Sequence, residues 1–483
     1  MIAWIPDLLY INRRFESGVA LVCDEAGTIV RIARAVELRD EKKINLPRRA
    51  VLPGMVNAHS HAFQRVIRGR TEYRTSNQRD SFWTWREMMY SAATRLTPED
   101  IYDASRMAFL EMALSGITAV GEFHYLHHAP DGTPYDDPNL LAKEVIRAAS
   151  DVGLRIALLR VAYARSGFQT EANRKQTRFI ETSPEIYLKN LELLTRSVRS
   201  PTVREGNSRN EALPNGWASD TAWIGVAPHS VRAVPLPYLK DVVAYAHEHD
   251  LKVHMHVAEQ PAEVSACVEE YGRTPIALLE TEGLLSDRFT AVHAIHVTPK
   301  AIPSFAKTGA MVCACPTTER NLGDGVVPAD EYLKNDVVIC LGTDSHMQID
   351  LLEDARELEY HLRLQKLERA VLDHQSQASS LKSQSLASVL FDCATVNGAR
   401  SIGAPNGSLE VGMPADFFTV NLDDPSVAGA STDDLLPAIV FSLSRAAVRE
   451  VVVGGKPIVS EGQHLIQEEV VERFGELQKR LWS

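Results

Sequence analysis

The chain has 483 residues, with 51 Lys+Arg against 63 Asp+Glu for a net charge of -12, and is 45% hydrophobic and 24% charged. That is the make-up of a globular enzyme rather than of a disordered, fibrous or membrane-embedded chain, and the surplus of negative charge excludes phosphate backbones and anionic lipid as expected partners. At about 150 residues per domain the length allows two or three, and a single α/β barrel absorbs about 250, so one large domain and one smaller are expected.

The chain opens on MIAWIPDLLYINRRF, which is apolar for a stretch but carries Pro6 and Asp7 and has no basic flank or small-residue cleavage site, so no signal peptide is expected. No run approaches the ~18 to 20 apolar residues of a membrane span, and the expected location is the cytoplasm. Residues 1–50 then read as short strands punctuated by glycine, as in GVALVCDEAGTIVRI.

Eight apolar runs ending in polar or turn residues follow: Ala50 to Asn57, Ile117 to Phe123, Leu154 to Tyr163, Trp223 to Pro228, Leu251 to Ala258, Phe289 to Ile295, Ala310 to Ala314 and Val337 to Gly342. Segments of helical periodicity separate several of them, such as PEDIYDASRMAFLEMALSG and LPYLKDVVAYAHEHD. Near-continuous apolar strands alternating with helices specify a parallel sheet covered on both faces, and eight such units close a barrel. The loops after strands 2 and 3 are long and polar, and RSGFQTEANRKQTRF in the second is placed to fold over an active site as a lid.

From about residue 405 the strand-like pieces return, in GMPADFFTVNL and AAVREVVVGGKPIV, before an amphipathic helix, EEVVERFGELQKRLW. The expected fold is therefore α/β: a (β/α)8 barrel over residues 51–404, with a small β-sandwich domain built from residues 1–50 and 405–483. The six cysteines are scattered without zinc-knuckle spacing, so reduced thiols are expected, and Cys313-Ala314-Cys315 reads as buried packing rather than a metal pair.

Asn57-Ala58-His59-Ser60-His61 places two histidines at the end of the first barrel run, where residues two apart face the same side and can share a metal. An isolated HxH is more often core than ligand. Here, however, other strand ends carry His229, His256, His293 and Asp344, and such ends are where functional groups gather in a barrel. In His254-Met255-His256-Val257-Ala258-Glu259 two histidines share a face, so spacing alone does not choose the ligand. Asp350, Glu353 and Asp354 read as an acidic set at a helix start, and His124, His127 and His128 as solvated loop histidines.

This constellation resembles the amidohydrolase superfamily over nearly the whole chain. The resemblance implies that His59, His61, His256 and Asp344 hold a divalent metal, zinc first, with iron, manganese or nickel also suited to the set. Strand 4 ends in Ala227-Pro228-His229, without the lysine that bridges two metals in binuclear members, which implies a single ion. The HxxE pattern selects His256 over His254, which with His296 is left structural. It makes Glu259 a proton shuttle, with Asp344 sharing that work and His293 binding the substrate or its tetrahedral intermediate.

Within the deaminase branch, NAHSHAFQR (57–65), SFWTWREMMY (81–90), GEFHYLHH (121–128) and APHSVR (227–232) resemble the formimidoylglutamate deiminases. That implies substrate contacts from Gln64, Arg86, Tyr125, His229 and Arg232, a small dicarboxylate substrate bearing a formimidoyl group, a place in histidine degradation, and a homodimer. Arginines suit the two carboxylates of such a substrate, and part of the cluster Phe82, Trp83, Trp85 is expected to wall its pocket. A purine-type deaminase is the rival expectation, and a non-catalytic scaffold the third.

Overall fold

Gly54 divides the first apolar run between two sheets. Residues up to Pro53 finish a strand of the terminal sheet (Lys42–Pro53), and the first barrel strand is Met55–Ser60, so the run Ala50 to Asn57 is not one strand. The chain changes sheets at this residue because Gly54 N donates to Asp416 O at 3.0 Å on one side, while Met55 N donates to Gly116 O at 3.0 Å on the other. A Cβ on Gly54 would overlap the Thr118 side chain.

The computed structural model describes residues 1–73, 82–168, 170, 173–199, 221–373 and 385–483. After Met55–Ser60, the barrel strands are Ile117–His124, Arg155–Ala162, Ala222–Pro228, Val253–Val257, Phe289–His293, Met311–Ala314 and Ile339–Leu341. Each pairs in parallel with its neighbour in sequence, giving an eight-stranded sheet. Its ends meet at a single bridge between Ser60 and Asp344, where His61 N donates to Asp344 O at 3.1 Å and Asp344 N to His59 O at 3.0 Å. Every residue of the first three strands is buried, which is why they read as unbroken apolar runs rather than as alternation.

The covering helices begin and end on local signals. Pro98–Leu114 starts with a capping box in which Thr97 and Asp100 exchange side-chain-to-backbone bonds, and Leu140–Val152 stops at Gly153 in the left-handed region (φ 85°).

Both ends of the chain build a nine-stranded mixed sheet in which Ile2–Ile11 runs parallel to Lys42–Pro53, and Phe417–Asn421 runs antiparallel to that same strand. Trp4, Leu21, Val51, Phe417 and Val452 form part of its core, with Trp4 edge-on to Phe417 at 5.2 Å. A buried ion pair, Arg155 Nε to Asp416 Oδ2 at 2.6 Å, ties this sheet to the barrel. The terminal helix, Gln467–Trp482, docks on Pro98–Leu114 through Arg106–Glu469 at 2.9 Å and Arg473–Asp103 at 3.0 Å.

Candidate active site

The carboxyl end of the barrel collects the expected side chains. His59 lies on the first strand and His61 one residue past it, on the same side; His256 is on the fifth strand, His293 closes the sixth and Asp344 follows the eighth. His293 (φ 69°) and Asp344 (φ 47°) occupy the left-handed region that non-glycine residues rarely adopt, a strain typical of functional sites. Backbone bonds across the strand ends hold it, among them Ala294 N to Val257 O at 3.0 Å.

His59 Nε2 lies 3.2 Å from His61 Nε2 and 3.2 Å from His256 Nε2, and the latter two are 3.4 Å apart. Asp344 Oδ1 is 3.5 Å from His59 Nε2 and 3.2 Å from His61 Nε2. A tetrahedral ion with ligand bonds of about 2.0–2.1 Å sets its ligand atoms roughly 3.3–3.4 Å apart, so these separations fit one. Hydrogen bonding makes the same point. His61 Nδ1 donates to Phe123 O at 2.9 Å and His256 Nδ1 to His229 O at 3.2 Å. A carbonyl only accepts, so both Nε2 atoms carry lone pairs, and those lone pairs converge with a carboxylate on one point, an arrangement that a cation stabilises. Burial first, then neighbouring imidazoles, keeps His256 well below its usual pKa, while burial presses His59 down to about 3; neutral rings are the form a metal needs.

His293 and Glu259 face this centre. His293 Nε2 is 3.7 Å from Glu259 Oε1 and 3.7 Å from Asp344 Oδ2. Burial raises the pKa of Glu259 against the opposing charge of His293, which makes its carboxylate a stronger base.

The remaining expected residues line the same cavity: Gln64, Arg86, Tyr125, His229 and Arg232, together with Phe82 and Trp85. Gln64 Nε2 donates to Tyr125 OH at 2.8 Å, leaving Gln64 Oε1 buried without a partner among the described residues. His229 packs at 4.6 Å between ring centroids on Tyr163 and 4.9 Å on His256. Arg86 comes from the helix Phe82–Ala93 and Arg232 from the turn after the fourth strand. Among the described residues neither guanidinium has a carboxylate within ion-pair distance, and Arg86 Nη1 and Arg232 Nε are buried without hydrogen-bond partners. The Arg86 guanidinium instead lies 4.6 Å from the Trp83 ring, and that tryptophan is 38% exposed, outside the cavity lining.

Other expectations resolve individually. His254 is buried with Nε2 on Ser401 O at 3.1 Å and is not part of the cluster of His59, His61, His256 and Asp344, and His296 Nε2 bonds Asp324 O at 2.8 Å. Cys313 and Cys315 are buried. Asp350 caps the helix Leu351–Lys366, whereas Asp354 is buried and accepts from Thr317 N at 3.0 Å. The loop histidines are not solvated as a group. His124 is buried as the last residue of the second strand, and His127 is buried where the following loop meets residue 178: His127 Nε2 meets Val161 O at 2.9 Å, and His127 N donates to Arg178 O at 3.0 Å. In the segment read as a lid, Gln169, Glu171 and Ala172 lie outside the described residues, as does Ser81 of the aromatic motif. Gln176 of that segment is buried and donates to Tyr90 OH at 2.8 Å and Tyr163 OH at 2.6 Å, and both tyrosines line the cavity.

Sequence reasoning missed Tyr90, Tyr163 and Phe179 in the cavity wall, and Glu319 behind His293. The tyrosines sit in periodic or strand-like segments where an aromatic reads as core, and Glu319 carries no motif of its own.

Residues 50–458 match the model of the amidohydrolase family. A formimidoylglutamate deiminase from Pseudomonas aeruginosa is 39% identical over 426 residues, covering 88% of each chain. A 5-methylthioadenosine/S-adenosylhomocysteine deaminase from Pyrococcus abyssi is 26% identical over 97% of each. The crystal structure of an amidohydrolase from Brucella melitensis superposes with a TM-score of 0.86 at 32% identity over the full length of both chains. Barrel, ligand set and relatives agree: the chain belongs to the amidohydrolase family and is a hydrolase of C–N bonds.

Proposed function

We propose that this hydrolase is a deiminase that converts N-formimidoyl-L-glutamate and water to N-formyl-L-glutamate and ammonia, with His59, His61, His256 and Asp344 holding one divalent ion, zinc first. The observation that carries the substrate is the pair Arg86 and Arg232. Two guanidiniums, that of Arg232 buried and that of Arg86 half-buried, lack carboxylate partners among the described residues in a cavity that opens on the ligand cluster, and they suit a ligand that brings two carboxylates. The formimidoylglutamate deiminase relative, 39% identical, supports the same substrate. The reading places the reaction in histidine degradation and carries with it a cytoplasmic homodimer.

When bound, a divalent ion at this cluster supplies Lewis-acid activation of water at neutral pH. Glu259 and Asp344 take the proton released as the water oxygen bonds to the formimidoyl carbon. His293 Nε2, 3.7 Å from both carboxylates, hydrogen-bonds the tetrahedral intermediate. Glu259 passes its proton to the departing nitrogen, Asp344 accepts the remaining hydroxyl proton as the C=O forms and the C–N bond breaks, and ammonia leaves with the formyl product behind. Arg86, Arg232, Gln64 and Tyr125 grip the glutamate portion and His229 walls it in, so that the formimidoyl carbon rests over the ligand cluster.

The six aromatic residues of the lining, Phe82, Trp85, Tyr90, Tyr125, Tyr163 and Phe179, would also stack on a purine, and the Pyrococcus relative is named for such a substrate. Ammonia release from formimidoylglutamate, formimidoylglycine, adenosine, methylthioadenosine and guanine separates the two readings. Turnover of the first well above all others is expected, and faster turnover of any purine would replace the proposal.

A further inference from the structure

Three of the imidazoles around the site, those of His61, His256 and His293, are oriented by two kinds of acceptor. His61 and His256 give their Nδ1 hydrogens to the backbone carbonyls of Phe123 and His229, at 2.9 and 3.2 Å. His293 meets a carboxylate instead: its Nδ1 lies 3.2 Å from Glu319 Oε1, and the same oxygen accepts from Cys315 N at 2.9 Å. Glu319 is 1% exposed, and a carboxylate is not buried without donors that hold it there.

The acceptor settles the tautomer. A carboxylate oxygen that already takes the Cys315 N–H has only lone pairs to offer, so His293 Nδ1 carries the hydrogen and the ring presents Nε2 to the cavity. That atom has no hydrogen-bond partner among the described residues. The short helix that bears Glu319, Pro316–Leu322, is itself pinned to the segment carrying Asp344: Thr318 Oγ1 bonds Thr343 O at 3.1 Å, and Ser345 N donates to Thr318 Oγ1 at 3.1 Å. One helical turn thus references His293 and Asp344 to the same rigid support.

We propose that Glu319 is a positioning residue for the reaction, holding the Nδ1–H of His293 so that Nε2 is turned to the reacting atoms. This rests on the deaminase reading of the site but not on the identity of the substrate, so the test uses whichever ammonia-releasing substrate the native enzyme turns over.

Glu319→Leu removes the acceptor. In the metal-loaded enzyme it should lower kcat by about 10- to 100-fold with KM and metal content near native. Glu319→Gln keeps an oxygen for both N–H groups and should restore most of the turnover. Native kcat in Glu319→Leu would overturn the proposal. So would loss of metal or a rise in KM in step with the fall in kcat, which is what a general packing role produces, or failure of Gln to rescue. Should Glu319→Leu fail to fold, the native holoenzyme labelled with 15N-histidine decides, with His293 assigned by its loss in His293→Gln. A hydrogen on Nδ1 supports the proposal, and a bare Nδ1 with the hydrogen on Nε2 refutes it.

Discussion

Asp344 Oδ1 lies 3.2 Å from His61 Nε2, and the backbones of the same two residues are bonded, His61 N to Asp344 O at 3.1 Å. The contact that brings the last barrel strand to the first therefore also assembles two of the four converging ligands. Barrel closure and assembly of the candidate ligand cluster are one event in this fold, so an ion bound there should stabilise the closed barrel.

Metal removal is accordingly expected to lower the unfolding temperature, and one divalent ion per chain should persist through dialysis. His256→Ala should lose most of the metal and the activity, whereas His254→Ala, whose ring is turned to Ser401 O at 3.1 Å, should keep the metal. Metal analysis of the two variants checks the choice of ligand, and the opposite pattern would reverse it.

Glu259→Gln retains shape and removes the base. Metal content should stay near native while kcat falls by ~10² or more. A variant with native turnover would take Glu259 out of the mechanism.

Arg86→Met and Arg232→Met should each leave fold and metal intact yet cost about 2 to 5 kcal/mol in kcat/KM, because a substrate carboxylate is desolvated against nothing. Lysine at either position should recover only part of this, since it lacks the planar fork. Steady-state kinetics on the four variants provide the check.

Away from the site, Arg160 and Glu181 form a buried ion pair at 2.6 Å. Burial raises the pKa of Glu181, but the charges of His127 and Arg160, with hydrogen bonds from Arg160 and Asn190, pull it down to about 2 from an ordinary 4.5. Burial holds His127 itself neutral down to about pH 3, so Arg160 is the partner that acts at ordinary pH. A depressed carboxyl pKa stabilises the fold above its unfolded value and loses that contribution as pH falls through the folded value. The pair should thus stabilise the fold above pH 4.5 and lose that contribution as pH falls toward 2. Urea unfolding of the native chain and of an Arg160→Met/Glu181→Gln double variant should differ in pH dependence over that window. Parallel curves would show that the pair is not linked to acid stability.

Much of the barrel was legible because its strands are buried on both faces and so read as continuous apolar runs, and much of the His/Asp cluster because HxH and the strand-end Asp344 follow such runs, whereas the choice of His256 over His254 took the family's HxxE pattern. What escaped depended on partners distant in sequence. The switch of sheets at Gly54 is set by Asp416 and Gly116, and neither leaves a mark in the run itself. Burial of His127 is set by residues some 50 positions later, near Arg178. Glu319 acquires its role only when the helix after strand 7 is laid against His293.

A second substrate carboxylate at the Arg86–Arg232 pair is what distinguishes formimidoylglutamate from side-chain-neutral analogues. The most direct test is kcat/KM of the native enzyme on N-formimidoyl-L-glutamate against N-formimidoyl-L-glutamine, which differ only in that group. Loss of a matched charge pair predicts a preference of about 30-fold or more for the glutamate compound. Equal turnover of the two would contradict the account.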